Sequence, residues 1–232
     1  MAHLEKIIAK QDGLTAAELV QQIVAERGEL RVGITSSFQA EDMVVLHLLR
    51  QQLPQVPVIF LETGYHFAET CEYRDRMARE WELNLVNALP EKTVAQQEAE
   101  LGLLYLVNPT ECCNLRKVKP LARALESLDL WFTGLRREQS PTRANLRKIE
   151  LHRLPTGKEL QKISVLADWT WEQVWAYTQQ HQIPYLPLYD KGYRSIGCQP
   201  CTALSDDPNN PRAGRWGGKK LECGIHTFSE KE

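Results

Sequence analysis

Four of the six cysteines fall as two close pairs, Cys112-Cys113 and the Cys-x-x-Cys of Gly197-Cys198-Gln199-Pro200-Cys201. Thiolates are soft ligands, and two pairs separated by a stretch of fold can converge on one four-thiolate metal site. Cys-x-x-Cys is a common half of a zinc ribbon, but structural zinc sites space their ligands by about two to four residues, and Cys112 and Cys113 are adjacent. A [4Fe–4S] cubane spreads its irons apart, takes four thiolates and accepts neighbouring ligands more readily. The spacing favours iron–sulfur and leaves zinc open. Buried inert thiols are the blander alternative, and scattered core cysteines seldom fall as two pairs.

Cys223, in Glu222-Cys223-Gly224-Ile225-His226, is then a spare thiol. Lys219, Lys220 and His226 lie close in sequence, and cationic neighbours raise the thiolate fraction that does chemistry. A metal centre beside a nucleophilic thiol points to redox or sulfur chemistry. Cys71 stands apart, and His66, His152 and His181 have no comparable context, so these read as core or surface residues.

Charge is uneven along the chain. Between Glu111 and Lys148 there are nine Lys/Arg against four acids, and from Lys191 to Lys220 six against two. Local excess of this kind suits a small polyanion such as a nucleotide. Ser36-Ser37-Phe38-Gln39-Ala40-Glu41-Asp42 opens a helix, where free amides and hydroxyls can hold a phosphate, although a routine helix cap looks the same. It is not a Walker loop, since Gly-Lys-[Ser/Thr] is missing. The run Leu135-Arg136-Arg137-Glu138-Gln139-Ser140-Pro141-Thr142-Arg143 follows a predicted strand. A solvated charged loop is its plain reading; arginines forking onto phosphate or sulfate oxygens is the functional one.

The elements that must position these residues alternate. Leu14 to Arg27 has helical apolar spacing with a Thr15/Glu18 capping box. Leu30–Thr35, Val56–Leu61, Leu83–Val86 and Leu130–Gly134 read as strands. Helices are expected over Glu41–Gln51, His66–Trp81, Lys117–Leu128 and Thr170–His181. The pattern predicts an α/β fold with a mainly parallel sheet flanked by helices, whose ligand sits at the C-terminal strand edge. The loops after Thr35, Leu61 and Phe132 all leave such edges. One domain over 1–232 is expected: a helical segment over 1–29, a nucleotide-binding core over 30–185, and a loop-rich segment over 186–232 that completes the site.

The bulk properties narrow the class. At 232 residues the chain can bury a substantial core, and 43% hydrophobic with 25% charged residues is ordinary for a globular protein. A net charge of −2 argues against coating a nucleic acid or a membrane surface. The start carries charge without an apolar stretch, so no signal peptide is read and a cytoplasmic location is expected, where clustered thiols favour metal binding or catalysis over disulfides.

From Gly33 to His226 the chain resembles the assimilatory phosphoadenylyl/adenylyl-sulfate reductases of the bacterial, iron–sulfur type. The matching pieces are the Ser36–Asp42 loop, Glu62-Thr63-Gly64-Tyr65-His66-Phe67, Cys112-Cys113-Asn114-Leu115-Arg116-Lys117 and Thr133-Gly134-Leu135-Arg136-Arg137-Glu138-Gln139-Ser140. To these are added Gly197–Cys201, Arg212-Ala213-Gly214-Arg215-Trp216 and Glu222–His226. The resemblance implies an adenine-nucleotide hydrolase-like fold whose serine loop lacks the Ser-Gly-Gly-x-Asp-Ser of ATP-using relatives. It implies adenosine 5′-phosphosulfate as substrate, sulfite and AMP as products, and thioredoxin or glutaredoxin as reductant.

By motif, Cys112, Cys113, Cys198 and Cys201 are implied to bind a [4Fe–4S] cluster, and Cys223 to be the nucleophile. Lys117 is implied to link cluster and substrate, with Ser36, Ser37, Arg136, Arg212, Arg215 and His226 holding the nucleotide. Ile225 departs from the commoner Leu without consequence, and Cys71 matches no motif. Self-association is left open. The competing readings are a reductase of the 3′-phosphorylated nucleotide or of both, a tRNA sulfur transferase, and an adenylate-binding redox sensor. Cluster-free relatives that prefer the 3′-phosphorylated form lack both cysteine pairs, which favours the unphosphorylated one.

Overall fold

The computed structural model describes residues 8–9, 11–205, 207, 210, 212–218, 220 and 222–226. Helix α1 (Ala16–Glu26) begins at Thr15, whose side chain accepts from the Glu18 amide while Glu18 returns to the Thr15 amide. Strand β1 (Val32–Thr35) leads into α2 (Ala40–Arg50), β2 (Pro57–Leu61) into α3 (Ala68–Glu80), and then β3 (Asn84–Ala88) follows. A further helix, α4 (Val94–Leu101), carries a Thr93/Gln96 capping box that the sequence reading passed over, and the short α5 (Leu104–Val107) follows it.

The cysteine pair sits inside a helix rather than ahead of one. Helix α6 (Pro109–Cys113), capped by Asn108, runs into a π-helical turn (Asn114–Val118) and then α7 (Lys119–Leu125). Pro120 has no N–H to give and its ring crowds the carbonyl one turn back, so the ladder upstream widens. The Lys119 amide accordingly reaches the Asn114 carbonyl. The expected helix over Lys117–Leu128 is therefore one part of a longer helix that stops earlier, at Leu125.

Strand β4 (Leu130–Phe132) is as expected, whereas the hairpin β5 (Ile149–Arg153) and β6 (Glu159–Ile163) was not predicted. Helix α8 (Trp171–Gln180) closes the core from its Thr170 cap. The sheet order is β3-β2-β1-β4-β6-β5, parallel except for the β5–β6 pair. Strand residues alternate between two apolar clusters. Ile34, Phe60 and Phe132 pack under α1, α2 and α8, while Ile59, Trp131 and Leu160 pack under α7. Both faces are covered, so each such fully buried side chain contributes about 1.5–3 kcal/mol.

Strand order reverses at β1, whose chain first moves to β2 on one side and later returns through β4 on the other. The crevice at the C-terminal ends of β1 and β4 is where such sheets bind ligands. After α8 the described chain has only short 3₁₀ turns and one bridge, Thr202 to Arg215.

Candidate active site

A cavity of about 610 Å³ lies at that crevice, bounded by the loops after β1, β2 and β4 and by the C-terminal segment. Ser36, Ser37, Lys117, Arg136, Arg212, Arg215, Cys198, Cys223 and His226 all line it. Residues spread over nearly two hundred positions are thus gathered by the sheet edge.

The serine loop arrives with its donors already engaged. Ser37 gives both its amide and its hydroxyl to Asp42 Oδ2, each at 2.6 Å, and the Ser36 hydroxyl accepts from the Phe38 amide at 3.1 Å. Phe38 holds φ at 60° with its ring locked against Phe60 and Tyr73, an uncommon backbone for a bulky residue. Burial pushes the Asp42 carboxyl up to about 6, against the pull of the Ser37 hydrogen bonds.

Arg136 is likewise paired. Its guanidinium meets Glu41 at 2.9 Å, bonds Glu138 and faces the Trp171 ring. The chain therefore supplies its own carboxylates to the donors that the sequence offered to phosphate. Gly134 makes this approach feasible. A Cβ there would strike the Asp42 carboxylate and come within 2.8 Å of the Asp42 amide nitrogen and 3.0 Å of the Glu41 carbonyl carbon. Backbone cannot yield as a flexible side chain does, so Gly134→Ala should cost about 3 kcal/mol. That corresponds to a fall in Tm of about 6–12 °C for a chain of this size. Calorimetry checks it, and an unchanged Tm would show that the two loops move apart freely.

Behind the cavity lies a small crevice lined by Cys112, Cys113, Cys198 and Cys201, together with Tyr65, Lys117 and Trp216. Gln199 donates to the Tyr65 carbonyl at 2.7 Å, which fixes the Cys-x-x-Cys turn, and the Thr63 hydroxyl lies 3.3 Å from Cys198 Sγ. No disulfide joins any of the six thiols. Burial, then repulsion from Cys113, Cys198 and Cys201, pushes Cys112 up to about 11; burial and Cys198 do the same to Cys201. Four free thiols lining one crevice form a donor set suited to a cationic cluster, which would hold them as thiolates. Trp216, whose indole nitrogen is buried without a hydrogen-bond partner, lines the same crevice. Among the described residues no three ligating side chains converge as a single metal ion requires.

Lys117 lines both spaces. Burial pulls its proton affinity down, but Cys198, Cys223 and Cys113 outweigh this and raise it, so the ammonium stays charged. The cations near Cys223 are Lys117 and Arg212. His226 is not one of them. It is buried against Trp131, ring centroids 5.6 Å apart and 17° from parallel, and burial with Lys162 nearby drives its basicity well below the ordinary value. The expected charge assistance from His226 is corrected accordingly; Lys219 lies outside the described residues.

Two further residues join the site. His66 lines the cavity, its ring 4.6 Å from Phe60, although it had read as a core or surface residue. Its position just past the end of β2 was the available signal. Arg143, at the end of the basic run, also lines the cavity and grips Glu222 through Nε at 3.0 Å and Nη2 at 2.8 Å. His152 is buried against Trp131, as a core residue should be, and Cys71 sits half-buried on α3.

The sequence pattern of the phosphoadenosine phosphosulfate reductase domain family matches residues 31–204. The chain belongs to that family. The reductase-domain match ends before Arg212 and Cys223, so the tail's place in the site rests on geometry. The chain is 41% identical over 228 residues to a phosphoadenosine 5′-phosphosulfate reductase of Gloeobacter violaceus, covering 96% of this chain and 93% of that one. It is 40% identical over 227 residues to an adenosine 5′-phosphosulfate reductase of Rhodococcus opacus, covering 94% and 91%. The crystal structure of a phosphoadenylyl-sulfate reductase from Candida auris, a phosphate complex, aligns with a TM-score of 0.74 at 25% identity over 88% of this chain and 97% of that one. No helix among the described residues is long and apolar enough to cross a membrane.

Proposed function

We propose that this chain reduces adenosine 5′-phosphosulfate to sulfite and AMP in assimilatory sulfate reduction, in the cytoplasm, with thioredoxin or glutaredoxin as electron donor. One observation carries the reading: Cys223 shares a cavity at the sheet edge with Lys117, Arg212 and Arg215. A soft nucleophile beside cations is what attack on the sulfur of a phosphosulfate needs.

The Cys223 thiolate attacks that sulfur and supplies the electron pair of the new S–S bond. The S–O bond to phosphate breaks, and its pair leaves on AMP, whose charge Lys117, Arg212 and Arg215 offset. An external dithiol then attacks Cys223 Sγ, and sulfite departs with the S–S pair. The partner's second thiol closes its own disulfide and returns Cys223 as a thiol, so both electrons come from the dithiol. Bound by Cys112, Cys113, Cys198 and Cys201, a [4Fe–4S] cluster would supply fixed charge beside Lys117 and tie the two cysteine segments together. Ser36, Ser37 held by Asp42, and Arg136 held by Glu41 shape the nucleotide wall, and His226 positions the tail.

An added 3′-phosphate needs further cationic partners, and the cavity's Arg136 and Arg143 are already paired with Glu41, Glu138 and Glu222. Sulfite release measured with each nucleotide and reduced thioredoxin should give the higher kcat/KM for the unphosphorylated form. A preference above about tenfold for the 3′-phosphorylated nucleotide, roughly 1.4 kcal/mol, would reverse the substrate assignment. Sulfite from neither would remove the function.

A further inference from the structure

The segment carrying Cys223 is anchored on both sides by different forces. On its C-terminal side Ile225 packs against the apolar cluster under α7, and His226 stacks on Trp131. Gly224, with φ of 93°, turns the chain so that it lies close to Val118, where a Cβ would stand 3.5 Å from the valine methyl. On the N-terminal side the anchor is ionic. Glu222 takes a two-pronged bond from Arg143, a third from the Thr142 hydroxyl at 3.1 Å and a contact from Arg212 at 3.5 Å. The three charged side chains are only 11–16% exposed. Solvent therefore screens this group far less than a surface pair. Burial would raise the Glu222 carboxyl, but the hydrogen bonds and charge of Arg143, with Arg212 beside it, outweigh this and hold it below its usual range.

We infer that Glu222 is a latch residue, which seats Cys223 in the cavity for attack and whose release lets the modified thiol reach its reductant. The inference rests on the function proposed above. Its physical basis is that the two steps make opposite demands on the tail. Attack needs the sulfur held against the nucleotide inside a closed cavity. Discharge needs the same sulfur exposed to a protein dithiol. Apolar contacts at Ile225 involve no charged group, whereas the Glu222 clamp shares Arg212 with the cations that the departing nucleotide phosphate would engage. Glu222 touches no reacting atom, so it is a positioning residue.

The opposite demands give a test that simple unfolding of the tail cannot imitate. Wild-type enzyme, Glu222→Gln and Glu222→Asp are each mixed with adenosine 5′-phosphosulfate without reductant, and S-sulfonate on Cys223 is followed by peptide mass. Reduced thioredoxin is then added and sulfite release timed. In parallel, alkylation of Cys223 by iodoacetamide is timed without nucleotide. Glu222→Gln keeps the carboxamide shape but loses the charge, so S-sulfonate formation should slow by about tenfold, while alkylation and discharge speed up several-fold. Glu222→Asp should recover part of the formation rate. If Glu222→Gln slows every step, or changes none while the wild type forms S-sulfonate normally, Glu222 is not a latch. If the wild type forms no S-sulfonate on Cys223, the proposed function falls first and the latch with it.

Discussion

Cys223→Ser should abolish sulfite formation while leaving AMP binding and iron content intact. A hydroxyl is a far weaker nucleophile than a thiolate at neutral pH, so the loss should be on the order of 10³-fold or more. The substitution removes little volume, and the half-buried sulfur has no structural bond to lose. Lys117, Arg212 and Arg215 keep their places on other elements, so nucleotide affinity measured by calorimetry should change little. Substantial turnover by Cys223→Ser would mean that another thiol does the work. Cys71 is the free thiol outside both cysteine groups, and burial raises its proton affinity, which suits a nucleophile poorly.

The second large effect is expected at the paired cysteines. Wild-type protein purified without oxygen should be brown, with broad absorption near ~400 nm and about four irons per chain. Cys198→Ser should lose colour, iron and sulfite formation together. Its sulfur lines both the crevice and the substrate cavity and lies within reach of the Thr63 hydroxyl, so the loss disturbs both. Stoichiometric zinc without iron in the wild type would contradict the cluster, as would Cys198→Ser that keeps full activity.

Much of the frame was legible because local signals and the global fold agree. The Thr15 capping box, the helix opening at Thr170 and the apolar runs of β1, β2 and β4 all appear where the sequence puts them. The β5–β6 hairpin was hidden because its buried face carries polar residues. His152 and Lys162 point inward at Trp131, whereas Leu151 is exposed, which inverts the alternation that marks a half-buried strand. Those polar residues lie beside the tail's His226, so the anomaly belongs to the site.

The candidate site was legible as a set of residues but not as a set of partners. The family resemblance brought the four cysteines, Lys117, Arg212, Arg215 and Cys223 together. It could not foresee that Asp42 and Glu41 would take the serine loop and Arg136. Those bonds join residues up to 95 positions apart, and only the fold creates them. That Arg143 grips Glu222, 79 residues away, was hidden for the same reason.

The most direct test is the mass of the protein after reaction with adenosine 5′-phosphosulfate in the absence of any reductant. A covalent S-sulfonate adds about 80 Da, and it should map to the peptide containing Cys223 and vanish as sulfite when reduced thioredoxin is added. The same mass on Cys71 or on one of the four paired cysteines, or no added mass in an enzyme that turns over, would contradict Cys223 as the nucleophile.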